Sequence, residues 1–443
     1  MNAYYDRLPY WVKCGLVSGA AVLKNRKKYG PDFRTTLDFL LSSSGEEQLR
    51  AAQERLATFL QHVRKTSAFY EVPEDLDLAK IPIITKADVL RNGDRIRFGK
   101  PYVTIKSSGT TGRPLAVPYT REAYQKEYAF WWYHRSIGGI RRGDRVATFA
   151  GHKVTYINRG YPPFWVYNRA ERQLIFSSYH FAPSTMAHYV AALNRFEPDF
   201  IHGYPSSLFL VARYILDESI EMQFRPKMIV GGSEATLDYQ REVIEKAFGA
   251  RMYIWYGNTE YCGHITECRS GKLHVQPFHS RVRVVDDGGS DVGPGNEGRI
   301  VGTNFTNTVF PLINYDTKDV VRLSMDQQCD CGQVGLVVDY IVGRAEDYIH
   351  TADGRLIGRL DHLFKDAEHV RNAQIEQRES GAIIVRVEKD ALYTTAIEDV
   401  IRTEAKKRLG DEMRIEFEYI SEIPKNENGK FQFIVQRMQR DAG

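Results

Sequence analysis

The spacing of apolar and polar residues divides the chain into regions of different secondary structure. Over roughly the first hundred residues, apolar positions recur about every 3.6 residues, as in EEQLRAAQERLATFLQHVRKT, which predicts helices. Short apolar runs then alternate with helical stretches, as in DRVATFAG, STMAHYVAALNRF and PDFIHGYP. Strand and helix alternating in this way predict a parallel sheet covered by helices.

The pattern changes again from about Leu273. Apolar runs separated by Gly-rich turns, as in SRVRVVDDGGSDVGPGNEGRIVGTNF, predict hairpins. Near the end, GAIIVRVEKD, AIEDVIRTEAKKRLG and RIEFEYISEIP indicate a strand, a helix and a strand. We therefore predict an α/β fold with two domains. Residues 1–342 form a large N-terminal domain of helix-covered parallel sheets with a β-rich subdomain, and its first 100 residues are mainly helical. Residues 343–443 form a small, mobile α+β C-terminal domain.

Composition excludes several classes of protein. The 443 residues are 43% apolar and 26% charged, which is typical of a globular chain with more than one domain. The net charge is only +4 and no long basic block is present, which argues against nucleic-acid binding. Five cysteines, an odd number in a long chain, indicate a reducing compartment, and we expect the cytoplasm.

No segment has the roughly 20 consecutive apolar residues that a membrane-spanning helix needs. The nearest is YWVKCGLVSGAAVLKNRKK, which Lys13 interrupts. We interpret it as a helix packed on the body of the protein, with a helix resting on a membrane surface as the alternative.

A loop rich in serine, threonine and glycine follows the strand-like run Tyr102–Ile105. Hydroxyls and backbone amides in such a loop donate hydrogen bonds to phosphate, and glycine permits close approach. No lysine follows the last glycine, so this is not the standard P-loop, and a polar surface loop is the alternative interpretation. The loop comprises Ser107, Ser108, Gly109, Thr110, Thr111 and Gly112.

A second group of residues has metal-ligand spacing. Cys268 and His274 are followed about 55 residues later by Cys329 and Cys331. Thiolates and imidazole suit a closed tetrahedral zinc ion with a structural role. The alternatives are free buried thiols, or Cys262 or His264 as a substitute ligand.

Five motifs together resemble those of the adenylate-forming superfamily, which includes acyl- and aryl-CoA ligases. They are the phosphate loop and, in order, YGNTE (256–260), NYDTKDVV (314–321), GRAEDYI (343–349) and PKNENGK (424–430). Within the superfamily the chain most resembles the phenylacetate–CoA ligase branch and the CapK-like proteins found with capsular-polysaccharide genes.

This resemblance implies an ATP-dependent ligase for a small carboxylic acid, with aryl acids as candidates. Such an enzyme forms an acyl or aryl adenylate and pyrophosphate, then passes the acyl group to a thiol, for which coenzyme A is the expected acceptor. A carrier-protein thiol or an amine in polysaccharide synthesis is an alternative acceptor. A nucleotide-binding homologue without catalysis is the alternative from another class. A homodimer is compatible with the resemblance.

The resemblance also implies roles for individual residues. Lys430 would stabilise the adenylation transition state, Thr259 would bind the α-phosphate, and Glu260 would hold Mg²⁺. Asp319 would accept hydrogen bonds from the ribose, and Arg344 would contact ribose or phosphate. The further positions implied for ATP are Gly232, Ser233, Glu234, Tyr256, Gly257 and Asn258. Those implied for the acid are His202, Tyr204 and Gly231.

The chain departs from the family pattern in the hinge motif, where Glu346 precedes Asp347 in place of two aspartates, in the turn that follows it, and at two single positions. Leu115 stands where many members carry a lysine, and Lys318 stands where a glycine usually precedes the ribose-binding aspartate. The departures at Leu115 and Lys318 motivate the alternative of an inactive homologue. The retention of five expected site residues argues against it, namely Thr259, Glu260, Asp319, Arg344 and Lys430.

Overall fold

Helices make up most of the chain before residue 100. The computed structural model of the protein describes residues 5, 8–107, 115–152, 154–155, 160–344, 349–352, 356–357, 360–364, 367, 369–424 and 431–438. Two of these helices begin at capping boxes. The backbone N–H groups of Ser44 and Thr85 donate to the carboxylates of Glu47 and Asp88, which satisfies amides that would otherwise lack partners. The four helices are α1 (Tyr10–Lys28), α2 (Pro31–Ser42), α3 (Gly45–Thr66) and α4 (Lys86–Ile96).

One twelve-stranded sheet runs through the main body, in the order β11-β12-β13-β14-β10-β9-β8-β7-β6-β3-β5-β4. Strands β3 and β5–β8 are parallel, and the strands from β9 to β14 pair antiparallel with their neighbours. The predicted change from helix-covered parallel strands to hairpins is therefore confirmed. The strands are β3 (Val146–Ala150), β4 (Trp165–Asn168), β5 (Gln173–Ser177), β6 (Phe200–Gly203), β7 (Met228–Gly232), β8 (Met252–Gly257), β9 (His264–Glu267), β10 (Leu273–Val275), β11 (Arg281–Val285), β12 (Glu297–Thr303), β13 (Tyr315–Leu323) and β14 (Val337–Arg344).

Helices that follow the strands cover this sheet. A core that includes Phe149, Phe176, Leu208, Ile229 and Ile244 fills the space between parallel strands and helices. Full burial of each such side chain contributes about 1.5–3 kcal/mol, so the sheet forms a rigid base for the loops at its edges. The helices are α5 (Arg121–Ile137), α6 (Pro183–Phe196), α7 (Pro205–Asp217) and α8 (Asp238–Phe248).

The C-terminal part has a sheet and a core of its own. Its four strands run in the order β19-β18-β17-β20, and β18 and β19 are parallel partners joined by α9, as the predicted strand–helix–strand order requires. Ile375, Val385 and Ile401 are fully buried between sheet and helix. These elements are β17 (Val370–Gln377), β18 (Ala382–Lys389), α9 (Thr395–Leu409), β19 (Arg414–Tyr419) and β20 (Ile434–Gln436).

Two short hairpins complete the described elements. β1 (Val103–Lys106) pairs antiparallel with β2 (Ala116–Tyr119), and β15 (Ile349–His350) pairs with β16 (Leu356–Ile357). Among the described residues, no helix combines the length and the apolar character needed to cross a bilayer.

Candidate active site

Three groups of predicted site residues lie at the same edge of the sheet. β6, β7 and β8 are adjacent and parallel, so their carboxyl ends meet there. His202–Tyr204, Gly231–Glu234 and Tyr256–Glu260 stand at the ends of these three strands or directly after them. In open α/β sheets, ligands bind outside these ends, and the predicted site residues converge on this edge of the sheet.

Close backbone packing explains two glycines at these strand ends. A Cβ atom at Gly203 would overlap the carbonyl oxygen of Phe149 on β3, and one at Gly231 would overlap the side chain of Met252 on β8. At Gly203 the neighbour is backbone and cannot move aside cheaply. Glycine therefore keeps these ends close together.

Tyr256 and Asp319 are in direct contact although 63 residues separate them. The Tyr256 hydroxyl donates to Oδ2 of Asp319 at 2.6 Å, and the amide of Asn258 donates to the Tyr256 oxygen at 3.4 Å. Burial and the Asp319 charge raise the pKa of Tyr256, so the hydroxyl stays a donor. Asp319 on β13 is also the direct cross-strand partner of Arg344 on β14. Three predicted nucleotide-binding positions thus lie together.

Glu260 is buried, with 8% of its surface exposed. The hydroxyl of Tyr315 donates to its carboxylate at 3.3 Å, and the side-chain amide of Asn304 donates to its backbone carbonyl at 3.1 Å. The hydroxyl of Tyr119 donates to the neighbouring carbonyl of Thr259. The turn that carries Thr259 and Glu260 is therefore tied to three elements of the body.

Sequence reasoning missed these three supporting residues. Tyr119, Asn304 and Tyr315 come from β2, from the segment after β12 and from β13. No local motif marks them, because their role depends on strand neighbours that are far away in the chain.

The β1–β2 hairpin fixes Ser107, the first residue of the predicted phosphate loop. The Ser107 N–H donates to the Leu115 carbonyl at 2.8 Å, and the Leu115 N–H donates to Oγ of Ser107 at 2.9 Å. Leu115 is 3% exposed and packs in the core, which gives this departure from the family pattern a packing role. The remaining predicted loop residues, Ser108, Gly109, Thr110, Thr111 and Gly112, lie outside the described residues.

His202 lies in an aromatic and polar setting. Its Nε2 is 2.9 Å from Oγ1 of Thr148, and its ring stacks on Phe200 with centroids 5.4 Å apart. Trp131 meets the ring edge-on at 5.8 Å. Burial, with the charge of Arg135 second, lowers the pKa of His202 well below its usual range, so the imidazole is neutral. Tyr204 follows directly and donates its N–H to the Phe149 carbonyl at 2.7 Å.

Glu234 connects the two parts of the molecule. One carboxylate oxygen accepts the N–H of Ser206 in the first turn of α7 at 3.2 Å. The other accepts the N–H of Phe431 in the C-terminal part at 2.7 Å. Phe431 is the residue after Lys430, which itself lies outside the described residues. Next to Glu234, Ser233 has a φ of 67°, the left-handed conformation.

The four predicted zinc ligands converge. Cys268 Sγ lies 3.8 Å from Cys329 Sγ, and Cys331 Sγ lies 3.4 Å from His274 Nε2. All four ligand atoms lie within 4.8 Å of one another, and three thiols with one imidazole are a donor set that suits zinc. The β9–β10 hairpin and the loop between β13 and β14 supply them, because β10 pairs with β14. Cys262 donates to the Glu260 carbonyl instead, and His264 belongs to a different cluster.

Comparison with known proteins agrees with this geometry. Residues 44–304 match the AMP-binding enzyme family, and residues 349–437 match the CapK C-terminal domain. The chain belongs to the AMP-binding enzyme family, that is, to the adenylate-forming superfamily of AMP-forming ligases, as the motif order predicted. Within it the chain is phenylacetate–CoA ligase-like and CapK-like.

Particular relatives show how far the similarity extends. Protein CapK of Staphylococcus aureus is 26% identical over 458 residues, covering 99% of this chain and 100% of that protein. Phenylacetate-coenzyme A ligase of Pseudomonas putida is 26% identical over 343 residues, covering 71% of this chain and 75% of that enzyme. A crystal structure of 2-hydroxyisobutyryl-CoA ligase with an adenylate superposes with a TM-score of 0.68 at 18% identity, covering 89% of this chain and 90% of that one, which confirms the fold.

Proposed function

We propose that the protein activates a carboxylic acid with ATP, releasing pyrophosphate, and transfers the acyl group from the adenylate to a thiol, with coenzyme A as the first candidate. The contact of Tyr256 with Asp319, next to Arg344, is the observation that carries this proposal. The proximity of Tyr256, Asp319 and the backbone of Arg344 supports assigning Tyr256 to the adenine, Asp319 to the ribose and Arg344 to ribose or phosphate.

The chemistry of the first step assigns the remaining roles. A carboxylate that attacks the α-phosphate brings two anions together, so the site has to neutralise charge. We assign Mg²⁺ to Glu260, since Mg²⁺ prefers oxygen ligands, and α-phosphate binding to Thr259. Ser107 and the predicted residues 108–112 would hold the leaving pyrophosphate. Lys430, whose neighbour Phe431 is hydrogen-bonded to Glu234, would stabilise the transition state.

The acid would lie along the strand ends that carry His202, Tyr204 and Gly231. Trp131 borders His202, which favours an aryl or other apolar body for the acid. Because His202 is neutral, it would act as a hydrogen-bonding group and not as a cation toward the carboxylate.

We also propose a structural zinc ion at Cys268, His274, Cys329 and Cys331. The set has no carboxylate, so no catalytic role is assigned to it. Use of ATP, together with five cysteines that form no disulfide with one another, supports a cytoplasmic location.

Pyrophosphate release tests the activity directly. The protein would be given ATP, Mg²⁺ and a panel of carboxylic acids, aryl acids first, with hydroxylamine to trap any adenylate. Acid-dependent release is expected, and comparison with and without coenzyme A then shows whether a thiol completes the reaction. No pyrophosphate release with any acid of the panel, together with intact ATP binding, would favour the inactive homologue.

The acceptor is tested separately. Adenylate that forms but is not consumed by coenzyme A would be offered a carrier-protein thiol and an amino sugar. If either compound consumes the adenylate, it would replace coenzyme A as the proposed acceptor, and the proposal for the first step would be unchanged.

A further inference from the structure

A buried cluster of two histidines and one glutamate lies outside the predicted zinc site. It consists of Glu127 on α5, His264 on β9 and His279, and we call it the Glu–His–His cluster. Nε2 of His279 lies 2.7 Å from Oε2 of Glu127. One ligand atom from each of the three residues lies within 4.8 Å of the others.

His264 is the unusual member of this cluster. It is 1% exposed, and neither of its ring nitrogens has a hydrogen-bond partner among the described residues. Two unsatisfied polar atoms in the interior cost free energy unless a ligand pairs with them. One of these nitrogens is directed at Glu127 and His279.

The surroundings of the cluster are apolar and fixed. Trp255 lies 4.2 Å from the His264 ring and Phe130 lies 5.3 Å from it, measured between centroids.

We propose that Glu127, His264 and His279 bind a divalent transition-metal ion, with zinc as the first candidate. Two imidazoles and one carboxylate are a known zinc ligand set, and they also suit iron(II). His264 is the direct cross-strand partner of Gly257, so the ion would fix the β8–β9 turn that carries Thr259 and Glu260. The proposal concerns metal binding and does not depend on the ligase activity.

Metal content per chain tests the proposal. The purified full chain, dialysed against a weak chelator, is expected to carry two zinc ions by mass spectrometry. Glu127→Gln keeps the size of the side chain and is expected to carry one, and His264→Asn is expected to do the same. Thr266→Val is the matched control, since it removes a buried polar group from the same strand outside the cluster.

A Cys329→Ser variant separates the two sites. It is expected to retain the ion of the Glu–His–His cluster, and cobalt in this variant would lack a thiolate charge-transfer band. A single ion that Cys329→Ser removes and Glu127→Gln retains would overturn the proposal. A single ion that Glu127→Gln removes and Cys329→Ser retains would support the proposal and remove the zinc assignment at the cysteines.

A second, independent observation concerns helix α1, which exposes several large apolar side chains to the exterior. Its exposed side carries Trp11, Leu16, Val22 and Leu23, which are 75%, 52%, 45% and 64% exposed. Its inward side carries the partly buried polar residues Ser18 and Asn25 beside Val17 and Ala21.

The inward contacts hold α1 on the body. Sγ of Cys14 accepts the N–H of Tyr167 at 3.3 Å, and Oγ of Ser18 accepts the N–H of Arg169 at 2.9 Å. Lys13 is also buried on this side. These specific contacts on one side of α1 therefore keep its apolar side exposed to the exterior.

The charges of α1 indicate what covers this side. Lys24, Arg26 and Lys27 are exposed in its last turns, and the helix contains no acidic residue. An apolar side next to a cluster of cations is complementary to an anionic lipid surface. We propose that α1 rests on an anionic membrane surface, with Trp11, Leu16, Val22 and Leu23 at the boundary between head groups and acyl chains.

Vesicle flotation tests this proposal. The full chain is expected to float with phosphatidylcholine vesicles that contain phosphatidylglycerol. Its partition into pure phosphatidylcholine is expected to be roughly a hundredfold weaker, since each of three cations contributes roughly fivefold. Leu16→Glu with Leu23→Glu is expected to reduce binding at least tenfold, whereas Leu392→Glu, at a site 66% exposed in the C-terminal part, leaves it unchanged.

Two results would overturn the membrane proposal. One is equal flotation of the double variant and the parent protein. The other is a parent protein that is dimeric in solution and becomes monomeric on the same substitutions, because α1 would then pair with a second copy of the chain.

Discussion

At the scale of single residues, Asp319 lies next to two other residues that we propose for nucleotide binding. It accepts a hydrogen bond from Tyr256 and stands opposite Arg344 on the next strand. A negative charge held in this way suits two ribose hydroxyls, because hydrogen bonds to charged groups are about twice as strong as neutral ones.

Asp319→Asn is expected to weaken ATP binding by about 10- to 100-fold, which corresponds to the 1.5–3 kcal/mol of hydrogen bonds to a charged group. Asparagine keeps the shape and still accepts from Tyr256. Calorimetric titration with ATP is the measurement. Asp326→Asn, in the exposed loop after β13, is the control. Equal affinity of Asp319→Asn and the parent protein would remove the ribose assignment.

Lys318 adopts a backbone conformation that favours glycine, with a φ of 64°. A side chain there costs about 1–2 kcal/mol, partly offset by the greater flexibility of glycine when unfolded and by the ion pair of Lys318 with Asp316 at 2.9 Å. Lys318→Gly is therefore expected to stabilise the protein by less than about 1 kcal/mol, and Lys318→Ala to destabilise it, in urea unfolding. A Lys318→Ala variant more stable than Lys318→Gly would show that the conformation carries no strain, because glycine loses more flexibility on folding.

At the scale of elements, helix α5 buries the ionisable side chain of His134. His134 is buried on α5, and its Nε2 lies 3.2 Å from the Glu267 carbonyl on β9. Burial, with the charge of Arg135 second, lowers the pKa of His134 to about 3. The helix therefore packs against the sheet with a neutral imidazole.

This pKa predicts a loss of stability in acid. The unfolded chain takes up a proton on His134 near pH 6.5, whereas the folded protein does so only near pH 3. Between these values the free energy of unfolding should therefore fall by about 1.4 kcal/mol per pH unit from this group. His134→Gln is expected to reduce the pH slope by that amount in urea unfolding between pH 6.5 and 5. An unchanged slope would contradict the buried neutral state.

The proposed zinc ligands also act at the scale of elements, since they bring the β9–β10 hairpin together with the loop between β13 and β14. Cys329→Ser is expected to lower the free energy of unfolding by more than about 2 kcal/mol, because metal binding contributes to folding. A mercurial thiol reagent should release one zinc ion from the parent protein and from a Cys14→Ser control, but none from Cys329→Ser. Equal release from all three would exclude the thiolate site.

At the scale of the whole molecule, a single carboxylate connects the large sheet to the C-terminal part. Glu234 accepts N–H groups from α7 and from Phe431. Phe431 directly follows Lys430 in the chain, so this contact fixes the backbone next to the proposed catalytic lysine.

Glu234→Gln is expected to slow pyrophosphate release about tenfold, because an amide can accept only one of the two hydrogen bonds and loses the charge. The single-turnover rate with saturating ATP and acid is the measurement. Glu242→Gln, an exposed acid on α8, is the control. A rate equal to that of the parent protein would separate this contact from catalysis.

Much of the fold and of the site could be predicted from the sequence. The period of apolar residues in 46–66 predicted α3, and the alternation of strands and helices predicted the parallel sheet. The motif order predicted the family, and the cysteine spacing predicted four residues that do converge. These signals are local, or they are short motifs whose residue types reflect one chemistry.

Only the tertiary structure decided the rest. The neighbour order of the strands brings His264 and His279 to Glu127, and it brings Tyr315 to Glu260. The polar contacts of Cys14 and Ser18 with the segment around β4 determine which side of α1 is exposed. Neither arrangement has a periodic or motif signal, because each depends on groups that are distant in the chain and meet only when the sheet forms.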